Sequence, residues 1–453
     1  MSTLDTPRMI EPVIDVTPAR PLPECQSWLS DLREAGRETF TRIGWPDRKN
    51  ESWRFTDLEA LKSHNFVSAI DDTEVSRETA GKFAIPDLDD VTLVFVNGRF
   101  RADLSDDPSG AAALGENVTC CTLKKAACEH RDMLEPYIGR LTWETDDPFT
   151  AISNASVEDG VFVHVPEGEA AAKPLHILSI ATPATSGGEP VAAHPRNVVV
   201  VGEDARATVI EHYVTLSDEA VYLNNAITEV FAADRAEVHH YLLEKESEAA
   251  FNVSSLYAHL GQEADMRSHT VLLGGKLVRN NVLPTLAGTK AHCLINGLYV
   301  GHHEQHLDNA MRVHHAAPDC ESRQFYKGIL NGKSRGVFTG RIIVDQIAQL
   351  TDAVQSNRNM LLSDDARVNA RPQLEIYADD VKCTHGCTTG AVDPESVFYF
   401  MSRGLSEYVA RAMLIYAFAA EGFDRMELVP VRRLLAREMI AKLPKASGLS
   451  IEV

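Results

Sequence analysis

The chain has 453 residues, with 65 acidic against 44 basic side chains and a formal net charge of −21. That length suits two or three domains or one elongated repeat fold, and the acidic balance argues against a nucleic-acid partner, since counterion release needs clustered Lys and Arg. No basic-then-apolar leader opens it and no apolar run approaches the ~18 residues that span a membrane, so a cytoplasmic chain without a membrane partner is expected. Eight cysteines (25, 120, 121, 128, 293, 320, 383 and 387) are too sparse for a disulfide scaffold and read as reduced thiols.

Residues 1–20 are polar, proline-punctuated and aperiodic, which predicts a disordered tail. From Pro23 to Ile43 the apolar positions Trp28, Leu29, Leu32, Phe40 and Ile43 predict a helix stopped by Gly44 and Pro46. Thr56 is placed to cap the short helix after it. Val91 to Val96 and Arg99 to Leu104, joined by Asn97-Gly98, read as a hairpin, and a further helix is expected over Leu123 to Leu141. Residues 21–145 thus form a mainly helical domain.

After Asp147 short strand-like runs arrive in quick succession: Val161 to Val165, Leu175 to Ile180, Asn197 to Val201 and Ala207 to Ile210. Polar turns carrying a small residue precede strands at 202–207, 232–236, 261–265, 287–291, 331–336 and 363–367. The first four recur about every 25–30 residues and the last two stand farther apart. A repeat on that scale without intervening helices predicts stacked parallel strands, a β-helix over 146–403, with a β-sandwich as the competing fold. Beyond Val392 the period changes: Leu405, Val409, Met413 and Tyr416 mark one amphipathic helix, and Val431 to Leu443 a second, within a helical segment 404–453. Those helices either cover the solenoid or offer a face to a partner.

Gly332-Lys333-Ser334 imitates the end of a phosphate-binding loop, but position 327 is Lys where that motif needs Gly, and a strand pattern follows. His302, His303, Glu304 and His306 imitate a zinc-protease motif whose second His would fall on Leu307. With Asp308, His314 and His315 they read as a hydrogen-bonded rung or a solvated loop. The stretch Pro372 to Thr389 carries more chemistry. In an extended segment Cys383, His385 and Cys387 project from one face, about 7 Å apart. That spacing is awkward for one ion unless a second chain supplies ligands. Thiolate and imidazole suit iron–sulfur chemistry, and Asp379 and Asp380 stand near enough in sequence to orient an imidazole. The competing view is that Cys383 packs as a small apolar group and His385 is a surface residue.

Several stretches together resemble a known family: Gln305-His306 with Asp308, Tyr326 to Leu330, Gly336 to Gly340, Ala348-Gln349 with Thr351, Asn357 to Asn359, Pro372 to Gly386, and Ser402 to Gly404. Arg48, Lys49, Glu51, Trp53, Thr56 and Leu58 add to the match. Together they resemble the SufD branch of the SufB/SufD family, scaffold subunits of the SUF iron–sulfur cluster assembly machinery. The resemblance implies a mainly β protein, a right-handed parallel β-helix with helical segments at both ends, and a non-catalytic role. It implies partners too: SufB, meeting this chain through the β-helix cores, and the SufC ATPase, docking on the C-terminal helices about Leu405, Val409, Met413 and Tyr416. A transient Fe–S cluster would form at the SufB–SufD interface, with His385 and Cys383 as metal ligands, His385 foremost. Cys387 departs from the family pattern, where Ala is usual, and is read as a packed thiol, with an extra ligand as the alternative. Flavin is allowed as an electron source for the complex. The runner-up is a self-sufficient metal-dependent β-fold enzyme using the His302–His315 cluster. A third reading is a homodimer paired through the solenoid edge.

Overall fold

The computed structural model describes residues 22–68, 74–107, 114–183 and 189–442; the expected tail 1–20 lies outside them. Its centre is a β-solenoid of about seven turns built from two long sheets. Consecutive strands alternate between the sheets, so each strand pairs in parallel with the next but one. Phe251–Leu260, for example, lies between Tyr222–Ala232 and Leu277–Leu286. Among the described residues the antiparallel pairs are Val91–Val96 with Arg99–Phe100, and Thr119–Thr122 with Val161–Val165, both at the N-terminal end. Parallel ladders overturn the sandwich alternative, whose sheets are antiparallel.

The corner turns explain the sequence repeat. Asp204, Arg235, Glu263, Lys290, Asp319 and Leu350 all have positive φ, at intervals of 27 to 31 residues. Each donates its N–H along the stack to the carbonyl just before the next: Asp204 to Asp234, Arg235 to Gln262, Glu263 to Thr289, Lys290 to Pro318, Asp319 to Gln349, Leu350 to Asp380. The residue after each points inward and is almost fully buried: Ala205, Ala236, Ala264, Ala291, Cys320 and Thr351. Two members, 318–320 and 349–351, escape the sequence pattern because Cys and Thr replace the Ala. The turns at 331–336 and 363–367 looked out of step because they belong to a second corner, where His303 and Gly332 hold positive φ 29 residues apart.

The N-terminal region follows its sequence with four corrections. A 3-10 turn, Glu24–Leu29, runs into helix Ser30–Ile43, which Gly44 ends at φ 66°. Asn97 and Gly98, at φ 49° and 78°, make the two-residue turn that Asn-Gly favours, but the returning strand is only Arg99–Phe100. The expected helix 123–141 stops early, as Leu123–Glu129 and Arg131–Leu134. The chain beyond is held in turns because Gly139 and Leu141 donate their N–H groups to the buried Glu229 carboxylate, at 2.8 and 2.9 Å. Cys25 and Cys128, expected as free thiols, form a disulfide. Gln26 Nε2 to Lys124 O (3.0 Å) and Trp28 Nε1 to Ala127 O (3.1 Å) bring their two segments side by side, which no local pattern could reveal.

Thr56 is the fourth correction. The short helix Glu59–Lys62 has Leu58 at its cap position, and the Thr56 hydroxyl instead donates to Asp308 Oδ2 at 2.6 Å and lies 3.0 Å from His306 Nε2. Asp308 also accepts from Arg279, whose guanidinium sits 4.0 Å from the centre of the Trp53 ring. Arg279, Asp308 and Trp53 are all buried, so the latch fastens the N-terminal region to the solenoid wall. Removing one partner of such a pair strands the other charge without water. Asp308→Ala is therefore expected to destabilise the fold by about 3–5 kcal/mol in urea unfolding. Replacing Arg279 and Asp308 together by Met and Leu should recover much of that loss.

Candidate functional site: the open end of the solenoid

The last two strands, Arg367–Ile376 and Lys382–Gly390, each terminate a sheet. Lys382–Gly390 pairs with Asp352–Leu361, and Arg367–Ile376 with Arg335–Val344. No strand among the described residues pairs with the outer edge of either, so two parallel rows of backbone N–H and C=O groups face outward. Exposure rises accordingly, from an alternating pattern in Asp352–Leu361 to near-continuous exposure in Lys382–Gly390.

Register fixes which side chains face the interior. Cys383 stacks on Ala353, His385 on Gln355, Cys387 on Asn357 and Thr389 on Asn359. Ala353, Gln355, Asn357 and Asn359 are all buried. The inward stripe therefore continues through Cys383, His385 and Cys387, with no rung above to cover it. The three share one face, as their spacing predicts. Cys383 is half-buried against Ile342, Val344, Ala353 and Ala378, while His385 and Cys387 are exposed. The expectation of Cys387 as a packed thiol is thus corrected: its stripe is right for packing, but the solenoid ends before a neighbour arrives.

Burial raises the pKa of the Cys383 thiol, and the nearby Asp352 charge adds to this; burial raises that of Cys387 too. Both thiols are therefore held in the protonated form at neutral pH. Asp379 and Asp380 lie in the turn between the two last strands and are exposed; the Asp380 backbone bonds to Gln349 and Leu350. Among the described contacts neither carboxylate reaches His385, so they are not its orienting partners.

The histidines between His302 and His315 do not converge. His303 faces Glu248 at 2.6 Å, His306 faces Thr56, His314 lies 3.0 Å from Asp345, and His315 lies 2.9 Å from Ser322. Among the described residues no group of three or more His, Cys, Asp or Glu is arranged to hold an ion. The His302–His315 cluster is a row of separately bonded rungs. Gly332, at φ 65°, turns the chain into strand Arg335–Val344, and Lys333 lies 3.7 Å from Glu304, so the phosphate-loop likeness ends in a strand.

Three helices follow the last strand: Pro394–Ser402, Glu407–Phe423 and Val429–Lys442. The middle one lays Ile415, Ala419 and Phe423 on Leu298, Val300 and Ile329 of the outer sheet face. Lys327 Nζ donates to Phe418 O at 3.0 Å and to Glu421 at 2.5 Å. Leu405, Val409, Met413 and Tyr416 are half-buried, and Tyr416 packs against that cluster. The sequence reading passed over a more open patch, Phe398 (72% exposed), Tyr399 (55%) and Met401 (43%) on Pro394–Ser402. An aromatic run inside a helical pattern reads as core, and only the helix's position at the rim exposes it. No described helix is long and apolar enough to cross a membrane.

Fold and site define a class: a parallel β-solenoid whose uncapped final rung carries soft donor side chains. Comparison with known proteins gives it a family. Residues 184–418 match the core domain model of SufBD proteins of SUF-system Fe–S cluster assembly, and residues 23–177 match the SufBD N-terminal region. The iron–sulfur cluster assembly protein SufD of Escherichia coli K12 is 36% identical over 384 residues, 85% of this chain and 86% of that protein. An iron–sulfur cluster assembly SufBD family protein of Synechocystis is 32% identical over 417 residues, 90% and 89% of the two chains. The SufD of Bacillus subtilis is 25% identical over 417 residues, 90% and 92%. The chain belongs to the SufBD family, which takes part in iron–sulfur cluster assembly.

The thiols are predicted to react in order of access. Iodoacetamide on the native protein, read by mass spectrometry, should label Cys387 first and Cys383 more slowly. Cys120 and Cys121, buried with pKa values pushed up to about 12 and about 11, and the buried Cys293 should react only on unfolding. Labelling of Cys293 as fast as Cys387 would contradict the register described above.

Proposed function

We propose that this chain is a non-catalytic scaffold subunit of an iron–sulfur cluster assembly complex, and that its open solenoid end is where a nascent cluster is handled. One observation carries the reading: Cys383, His385 and Cys387 share the inward face of a rung that no strand among the described residues covers. Same-face positions about 7 Å apart do not close around an ion by themselves. A second subunit, seated on the free strand edges, brings the missing ligands. SufB is that subunit, its own β-solenoid continuing the two sheets of this one by backbone pairing. Cys383 and His385 then contribute to an Fe–S cluster that is cargo rather than a resident group. Cys387, exposed on the same face, takes the extra-ligand role.

The SufC ATPase docks on the C-terminal helices. Phe398, Tyr399 and Met401 supply the apolar surface there, with Leu405, Val409, Met413 and Tyr416 at its margin. The free-energy difference between SufC nucleotide states shifts the SufB pair between closed and open arrangements, which gates iron and sulfide entry. Flavin acts at the level of the complex. The complex works in the cytoplasm, where its cluster-binding thiols stay reduced.

Anaerobic reconstitution of the complex co-expressed with SufB and SufC tests this. His385→Ala and Cys383→Ala are expected to lower the cluster's visible absorbance at least as far as the roughly 10–100-fold affinity loss caused by removing an outer-shell partner. Size-exclusion should show the complex intact. A cluster yield unchanged in both variants rejects the assignment. So does a stoichiometric metal held by the isolated chain and indifferent to His385→Ala.

A further inference from the structure

One inward column of the outer half of the solenoid is made of amides. Gln324, Gln355 and His385 occupy the same register position on three successive rungs. Gln324 and Gln355 are buried, 0% and 1% exposed. Gln355 Nε2 donates to Gln324 Oε1 at 2.9 Å, one bond joining the two amide rungs beneath His385. Gln355 Oε1 is then a buried acceptor without a protein partner.

The surroundings narrow the choice of partner. The Gln355 side chain crosses the interior and lies flat on Gly340 of the opposite wall, where a Cβ would collide with the amide. The residue paired with Gly340 on the last rung is Pro372, which has no N–H to give. The neighbouring column is already bonded: Asn359 Nδ2 donates to Asn357 Oδ1, and Asn357 Nδ2 to Tyr299 Oη. Below, Gln324 Oε1 takes the bond from Gln355, while Gln324 Nε2 is a buried donor that makes no bond to Gln355 Oε1. Above stands His385, one strand spacing of about 4.8 Å away.

We propose that Gln355 is the positioning residue for His385: its Oε1 accepts the N–H of one imidazole nitrogen, which leaves the lone pair of the other facing outward. An imidazole can hold a metal ion only through a nitrogen that carries no proton, and the bond at the first nitrogen decides which one that is. The amide ladder thereby carries an orientation from the solenoid interior to its exposed end. The inference rests on the reading of His385 as a cluster ligand, yet its own evidence is the register, the unpaired oxygen and the clearance at Gly340.

The test uses the full chain labelled with 15N-histidine at about pH 8, above the ordinary imidazole range. The His385 resonances are identified by their loss in His385→Ala. One neutral tautomer is expected to predominate in the native protein and in Gln355→Glu, which keeps an acceptor. Gln355→Leu, and separately Gly340→Ala, which displaces the amide from the opposite wall, should give the mixed tautomers of a free imidazole. Both should also weaken Co2+ binding by the assembled complex, roughly 10–100-fold. Unchanged tautomer ratios in Gln355→Leu and Gly340→Ala, with native circular dichroism, overturn the proposal, as does a water molecule as the partner of Gln355 Oε1. A tautomer that responds to Gln355 while cluster yield ignores His385→Ala supports the positioning and rejects only the ligand role. The reverse pattern rejects the positioning alone.

Discussion

A parallel solenoid cannot satisfy its own last rung. Every internal strand spends its backbone N–H and C=O groups on neighbours above and below, but the stack must stop, and where it stops one row of each is left over. This chain treats its two ends differently. The N-terminal end is closed by the antiparallel pairs Thr119–Thr122 with Val161–Val165 and Val91–Val96 with Arg99–Phe100. At the C-terminal end no strand among the described residues covers either sheet. The helices that follow could have lain across that end; instead Glu407–Phe423 packs on the outside of the wall against Leu298 and Ile329. The bare end follows from where the chain is sent after Gly390.

The rest of the molecule keeps that end rigid. Positive-φ corner residues from Asp204 to Leu350 bond one rung to the next, and Ala, Cys or Thr beneath each lets the corners stack closely. A left-handed conformation costs an ordinary residue roughly 1–2 kcal/mol, so six such corners persist only because the ladder over-determines them. Buried ion pairs serve as fasteners: Arg279–Asp308 near Trp53, and Arg196–Glu229, 2.9 Å apart, under the turns at 139–141. Such pairs contribute little net stability against apolar substitutes, but they fix which surfaces meet.

Much of this was legible in the chain. Val161 to Val165 and Leu175 to Ile180 are strands as read, and Asn-Gly at 97–98 makes its turn. Period-two spacing correctly put Cys383, His385 and Cys387 on one face. What failed were statements about partners distant in sequence. Thr56 looked like a cap because local spacing allows it, whereas Asp308, 252 residues away, takes its hydroxyl. Helix 123–141 was cut short by a carboxylate at 229, and the Cys25–Cys128 pairing needed two segments 103 residues apart to lie together. Asp379 and Asp380 are close to His385 in number but sit around a corner from it. Periodicity reports the direction of a side chain, and says nothing of what stands opposite.

That limit bears most on the site itself. An inward-facing residue normally means a core residue, and by pattern alone Cys383, His385 and Cys387 continue the stripe of Ala353, Gln355 and Asn357. Their meaning changes only because the stack ends one rung above Asp352–Leu361. Side chains chosen for an interior then stand at a surface, still aligned by the ladder beneath them and lacking only a cover. A surface loop with the same donors would lose conformational entropy on ordering them; here the solenoid has already ordered the backbone before any partner or metal arrives. Placing soft donors on the last inward stripe puts them on the same surface that presents the unpaired strand edges. Under the function proposed above, docking and coordination become one event, and the donors stay incomplete in the isolated chain for the same reason that its strand edges do.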